Sequence, residues 1–286
     1  MDIRFVNHNG EQVDLMNGAY KIEDSSLFAH SWDYDSDNAA IGYGGTIRKF
    51  RKGIQTKDIT IHIESVGMES YKQAYDHLME IIDMDVIDEV PGRIYIDDSY
   101  MRCYITEGDP SYFVPGLDMC TYNFKLASPY PFWITECKRS FQKIINGSGE
   151  SEEFLDYEHD YGYDYTMPYG GDVIWQVDHY APCEYEMIIY GPCVDPRVVI
   201  NGHIYQVYAT LDENDYLKIN SRENSVVQYL VNGTQRDLYD YRVKITGSLF
   251  DPIKPGNVRV VWSGEFGFDL TLFCERSEPR WKIQGS

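Results

Sequence analysis

The sequence predicts a mainly β protein built from two domains, and three observations carry that expectation. Apolar and polar residues alternate along most of the chain, a single stretch has helical period, and turn dipeptides punctuate the second half every eight to twelve residues or so. At 286 residues the chain exceeds what one small core needs. The division expected is a β domain over residues 1–140 and a β-sandwich over 141–286.

The first domain begins with short alternating segments, "DIRFVN" and "YKIEDSSL", separated by polar turns. From Ile54 to Val66 the alternation is regular. Ile59, Ile61 and Ile63 point one way and Thr60, His62 and Glu64 the other, as in a half-buried antiparallel strand. The period then changes: Tyr71, Ala74, Tyr75, Leu78, Ile81 and Ile82 draw one apolar stripe on a helix from about Glu69 to Asp83, with Glu69 in the first turn facing the positive end of the dipole. One isolated helix of this kind crosses a sheet rather than joining a bundle. "GRIYIDDSYMRCYI" reads as a hairpin about Asp97-Asp98-Ser99, "PSYFVPGLD" as a loop, and "MCTYNFKLAS" as a strand with Cys120, Tyr122, Phe124 and Leu126 on one face.

That strand runs into "LASPYPFWI". Pro129 and Pro131 lack the N–H a ladder requires and hold their neighbours extended, so the strand stops there. Pro129, Tyr130, Pro131, Phe132 and Trp133 form the candidate inter-domain joint, with Phe132 and Trp133 plugged onto the first core. Beyond it, "QKIINGSGESEEF" is a polar hinge and "DYEHDYGYDYT" a Tyr/Asp-rich stretch. Short β runs follow from "DVIWQV" to "FDLTLFCE", broken by Gly-Pro at 191, Asn-Gly at 201 and 232, and Pro-Gly at 255. No helical period interrupts them, so the second domain is expected to be an antiparallel, jelly-roll-like sandwich.

Charge and composition narrow the function. The net charge of -21, with only "RKFRK" (Arg48–Lys52) as a basic run, argues against binding nucleic acid by phosphate neutralisation. An acidic surface does suit DNA that must slide past without sticking. No apolar stretch is long enough for a membrane helix and "MDIRFVNHNGEQVDL" is no secretion signal, so a soluble chain made in the cytoplasm, with no membrane insertion, is expected.

No motif carries catalysis or a cofactor. The six cysteines include no CxxC; Cys183 and Cys193 are close enough in sequence to pair in an oxidising compartment, but reduced thiols are expected. The seven histidines form no HxxxH or HExxH pattern. "DYDSDNAAIGYG" begins like a calcium loop at Asp33, Asp35 and Asp37, but Asn38 stands at the glycine position and Gly44 where the bidentate glutamate belongs, so it reads as a polar loop. The carboxylates are scattered rather than set in a glycosidase signature. In the second half Tyr157, Tyr161, Tyr163, Tyr165, Tyr169, Trp175 and Trp262 form either a sugar-stacking platform or, the reading preferred here, core and interface aromatics; Tyr161, Tyr163, Tyr165, Trp175 and Trp262 are the carbohydrate or interface candidates.

Taken in order, these segments resemble the distal tail protein family of long-tailed, siphovirus-like phages and prophages of Gram-positive bacteria. In the first half the resemblance rests on "IQTKDITIHI", "SYKQAYDHLMEII", "GRIYIDDSYMRCYI" and "TYNFKLASPYPFW". In the second it rests on "DYGYDY", "YGPCVDPRVVINGHIYQV", "LKINSRENSVV" and an ending that closes on "RSEPRW" (Arg276–Trp281). The resemblance implies a virion structural protein and not an enzyme, with no cofactor. It implies an N-terminal domain that closes a homo-hexameric ring, and a galectin-like or carbohydrate-module-like C-terminal sandwich. The ring would join the tail tube protein to the tail-tip or baseplate protein, with the tape-measure protein as a further partner. DNA would pass through the lumen without stable binding. The location implied is the virion tail, assembled in the host cytoplasm. The alternative is a host-adhesion module that grips cell-wall polysaccharide through the second domain.

Overall fold

The computed structural model describes residues 1–38, 42–65, 70–114, 116, 118–144, 171–244 and 247–280. The chain divides into two compact units, Met1–Thr135 with the segment from Glu275 onward, and Glu136–Cys274. The described residues Glu275 to Arg280 thus belong to the first unit.

Unit 1 contains β1 (Ile3–Val6), β2 (Gln12–Asp14), β3 (Tyr20–Ser25), β4 (Asp33–Asn38), β5 (Gly45–Arg51), β6 (Gln55–Glu64), α1 (Tyr71–Ile87), β7 (Gly92–Ile96), β8 (Ser99–Phe113), β9 (Met119–Ser128) and the start of β10 (Trp133–Phe141). The long strand β8 belongs to two antiparallel runs, β2-β1-β7-β8 and β8-β9-β6-β3. Its first residues pair with β7 and its later ones with β9. Ile59, Ile61 and Ile63 of β6 are buried together with Phe124 and Leu126 of β9, as the alternation requires. Helix α1 lays Tyr71, Ala74, Leu78, Ile81 and Ile82 onto this core. Leu78, Ile81 and Ile82 each contribute roughly 1.5–3 kcal/mol by leaving water.

Three features of unit 1 differ from the sequence expectation. The helix starts at Tyr71, where Ser70 and Gln73 form a reciprocal capping box, and runs past Asp83 to Ile87. Glu69 lies outside the described residues. The extra turn ends on a polar contact that period alone does not show: buried Asp85 accepts hydrogen bonds from the backbone N–H and the ring Nδ1 of His8, both at 2.8 Å. Second, Asp33–Asn38 is a strand, not a loop, because it pairs along its length with Gly45–Arg51. Third, β8 continues through Pro110 to Phe113, so "PSYF" is strand. Beyond Cys103 that strand has β9 as its neighbour on one side, and an edge position is where a sheet tolerates proline. The hairpin turn is Asp97-Asp98, with Asp97 at φ 51° and Ser99 already in β8.

Unit 2 contains the rest of β10, then β11 (Gly171–Val177), β12 (Glu184–Tyr190), β13 (Cys193–Val194), β14 (Arg197–Ile200), β15 (His203–Gln206), β16 (Thr210–Leu211), β17 (Tyr216–Asn220), β18 (Ser225–Tyr229), β19 (Gln235–Asp237), β20 (Gly256–Trp262) and β21 (Phe268–Arg276). One sheet orders as β19-β18-β17-β12-β21 and the other as β11-β20-β14-β15. Their inward side chains, among them Tyr185, Met187, Ile219 and Leu270 from one and Val198, Ile200, Val258 and Val260 from the other, form a single core. That is an antiparallel sandwich. The Asn201-Gly202 turn has φ 51° and 84°, the pair of left-handed residues that a two-residue hairpin turn needs to join β14 to β15.

Candidate assembly surface

Unit 1 leaves two pieces of sheet without cover. Among the described residues the ribbon β4–β5 pairs with no other strand, and every residue of its two strands is exposed. Its own contacts run across the ribbon. Tyr34 meets Phe50 edge-on with centroids 6.4 Å apart, Arg48 pairs with Asp37, and Arg51 pairs with Asp35. The basic run "RKFRK" is thus partly neutralised by the acidic strand β4 opposite it. Exposed ion pairs add little, and an isolated two-stranded hairpin is marginal in water. Yet Tyr34 and Phe50 stand 57% and 58% exposed. Among the described residues no strand pairs with either outer edge of the ribbon, and an open strand edge presents backbone N–H and C=O groups to a partner.

The second uncovered piece is the far end of β8. From Met101 to Ile105 its residues alternate between buried and half-buried, and from Thr106 to Phe113 all are exposed. Between this stretch and α1 lies a groove lined by Tyr71, Tyr75, Phe113, Cys120 and Tyr122. Tyr75 and Tyr122 pack at 5.0 Å, and partial burial, with Tyr75 alongside, pushes the Tyr122 hydroxyl up to about 12. Tyr112, Phe113 and Val114 add exposed apolar surface at its rim.

Tyr130, Pro131 and Phe132 form a connected cluster next to the buried Trp133. Trp133 is 1% exposed within the unit 1 core, Pro131 is buried, and the Phe132 N–H donates to the Tyr130 carbonyl at 2.8 Å. Lys52, the last residue of the basic run, inserts here. Its ammonium lies 4.4 Å from the Phe132 ring centroid and 5.0 Å from that of Trp32, and donates to the Pro131 carbonyl (3.1 Å) and Ser277 Oγ (3.0 Å). Burial holds the Lys52 ammonium below its usual pKa. Tyr130 donates to Glu275 at 2.5 Å. The cluster therefore fastens the strand leaving unit 1 and the segment returning to it, using a lysine from a third place in the chain. Of the candidate joint Pro129, Tyr130, Pro131, Phe132 and Trp133, these contacts gather Tyr130, Pro131 and Phe132, and Trp32, Lys52 and Ser277 reach them only through the fold.

The unit 2 candidates separate. Trp262 is 6% exposed, edge-on to Phe141 (5.6 Å) and Phe268 (5.6 Å), with its indole N–H donated to the Phe266 carbonyl at 3.1 Å. A ring so enclosed offers no face to a sugar, which corrects its place in a stacking platform. Trp175 packs half-buried against the same core. Tyr157, Tyr161, Tyr163, Tyr165 and Tyr169 lie outside the described residues. Among the described residues the large exposed aromatics of unit 2 are Tyr180, Tyr190, Tyr208, Tyr239 and Tyr241, which the sequence does not single out. Arg242 covers Tyr239 at 3.6 Å. Among the described residues no group of three or more His, Cys, Asp or Glu is arranged to hold a metal ion. No described helix is long and apolar enough to cross a membrane.

No family model matches the chain, and no curated protein matches it. Solved structures do. The Dit protein of phage SPP1, described as a paradigm of the hub adsorption apparatus in phages infecting Gram-positive bacteria, superposes with a TM-score of 0.59 at 10% identity, over 96% of this chain and 99% of that one. A chain of the phage P2 baseplate in its activated conformation with Ca gives 0.59 at 11% identity, over 97% and 99%. The same baseplate with Sr gives 0.57 at 12% identity, over 97% and 99%. Over nearly all of its length, the chain shares the fold of the phage distal tail protein Dit.

Proposed function

We propose that this protein is a structural component of a phage tail, a distal tail protein whose unit 1 closes a homo-hexameric ring between the tail tube and the tail-tip or baseplate. The observation that carries this reading is the β4–β5 ribbon, exposed along both strands and, among the described residues, unpaired at both edges, in a chain that shares the Dit fold over 96% of its length. Heterologous edge contacts close into a ring when the rotation between copies is a whole fraction of a turn. Strand addition at an open edge supplies the backbone hydrogen bonds that the ribbon lacks alone. The acidic balance of -21 suits a conduit that DNA traverses without adhering. Tail tube, tail-tip and tape-measure proteins are the partners in this reading, and the virion tail is its location.

Electron microscopy of the full chain at tens of micromolar tests it. Six-fold ring projections are the expected result; particles of single-chain size throughout would contradict it. Glycan adhesion by unit 2 is the competing reading, and the burial of Trp262 counts against it. Retention of the chain on purified cell-wall polysaccharide, lost on changing Tyr208 and Tyr241 to Ala, would favour adhesion instead.

A further inference from the structure

Three of the six cysteines, distant in sequence, meet in unit 2. Cys137 Sγ lies 3.4 Å from Cys274 Sγ, and Cys183 Sγ lies 3.8 Å from the same atom. Cys183 and Cys274 are buried, while Cys137 is half-buried and so within reach of a small reagent. The neighbour in sequence, Cys193, is not the one the fold gives to Cys183. The three do not form a set that a metal ion could take. What two adjacent thiols and an accessible one can do is exchange with a disulfide.

We propose that Cys137 and Cys274 are an oxidation site, forming a disulfide when the protein meets a small-molecule disulfide such as oxidised glutathione. The Cys137 thiolate attacks one sulfur of the reagent, its S–S bond breaks, and one reagent thiol leaves. The Cys274 thiolate then attacks the Cys137 sulfur, the mixed disulfide breaks, and the second reagent thiol leaves. Two protein thiols are oxidised, one reagent disulfide is reduced, and the two thiol protons end on the two released thiols. Closing the bond brings the sulfurs together by about 1.4 Å, to a disulfide length near 2.05 Å.

The position of the pair gives the bond its effect. Unit 2 runs from Glu136 to Cys274, so Cys137 stands where the chain enters it and Cys274 where the chain leaves. A bond between them makes nearly all of unit 2 one closed loop, and long loops are where a cross-link most restricts the unfolded chain. In reducing cytosol the thiols persist, and in an oxidising medium outside a cell the loop closes. The proposal rests on unit 2 alone and stands or falls independently of the ring.

The test uses the full chain, incubated natively with oxidised glutathione, then denatured for thiol titration and peptide mass mapping. Titratable thiols should fall from the six of the reduced chain to four. A peptide containing Cys137 should be joined to one containing Cys274, and the melting midpoint of unit 2 should rise by roughly 5–15 °C, reversibly with dithiothreitol. Cys274→Ala should abolish the link, and mapping of the unaltered chain decides the matter even if that variant folds poorly. Six persisting thiols, a stable glutathione adduct on Cys137, or a link joining any other pair would overturn the proposal.

Discussion

The β4–β5 ribbon and the β17–β18 hairpin are built from similar material and end differently. Both are antiparallel, and both pair a tyrosine with an aromatic across the strands, Tyr34 with Phe50 and Tyr216 with Tyr229. In β17–β18 one side is filled: Leu217, Ile219 and Val226 are buried, and the strands continue the sheet through β12 and β19. In β4–β5 every strand residue is exposed, and among the described residues neither outer edge is paired. A hairpin inside a sandwich is complete within its own chain. One with two open faces and two open edges has left its stabilising contacts to something else, and the proposed neighbour is a second copy of this protein.

The contrast can be broken most forcefully by cavity mutations. Leu270→Ala in the unit 2 core should cost about 2–5 kcal/mol in a denaturant titration. Phe50→Ala on the ribbon should cost no more than about 0.5 kcal/mol to the isolated chain while abolishing its assembly, read by sedimentation. Equal costs at the two sites would erase the distinction.

Next in size is the lysine at the 129–133 cluster. Lys52→Ala leaves the Pro131 carbonyl and the faces of Trp32 and Phe132 without their cation, and should lower the stability of unit 1 by about 1–3 kcal/mol with no effect on the midpoint of unit 2. Calorimetry with two resolved transitions reads both.

Alkaline pH sharpens the comparison from the other side. Burial raises the pKa of Tyr185 and Tyr205 above the usual tyrosine range, and that of Tyr190 to about 12. The folded state therefore keeps protons that the unfolded chain gives up above pH ~10. Stability from these groups is full below pH ~10 and falls as pH rises toward the folded values. Tyr205→Phe should make that fall shallower. The smallest expected effect belongs to Asp172→Asn, which removes the exposed pair with Arg259 and should leave the unfolding midpoint at pH 7 unchanged within error.

How much of this was legible in the sequence follows from what each element buries. β6 and α1 each turn an apolar face to the core, so Ile59, Ile61 and Ile63, and Leu78 and Ile81, announced a period. The ribbon buries nothing, so Asp33, Asp35 and Asp37 looked like a polar loop until Arg51 and Arg48 were found opposite. The last turn of α1 hangs on Asp85 and His8, two polar residues whose contact is long-range. Trp262 showed the same difficulty in reverse: an aromatic in a strand reads alike whether it faces a ligand or, as here, Phe141 and Phe268. At positions 129–133 the prolines marked the end of a strand, but the lysine that fastens them came from Lys52, and the convergence of Cys137, Cys183 and Cys274 has no sequence signal at all. Local pattern reports burial; it does not report which distant residue arrives.

The most direct test of the central claim is native mass spectrometry of the full chain beside the double variant Tyr34→Lys, Phe50→Glu, with circular dichroism to establish that both are folded. The account predicts a species of about six times the 33.2 kDa chain mass for the unaltered protein and a monomer for the variant. The same oligomeric state in both folded proteins would contradict it.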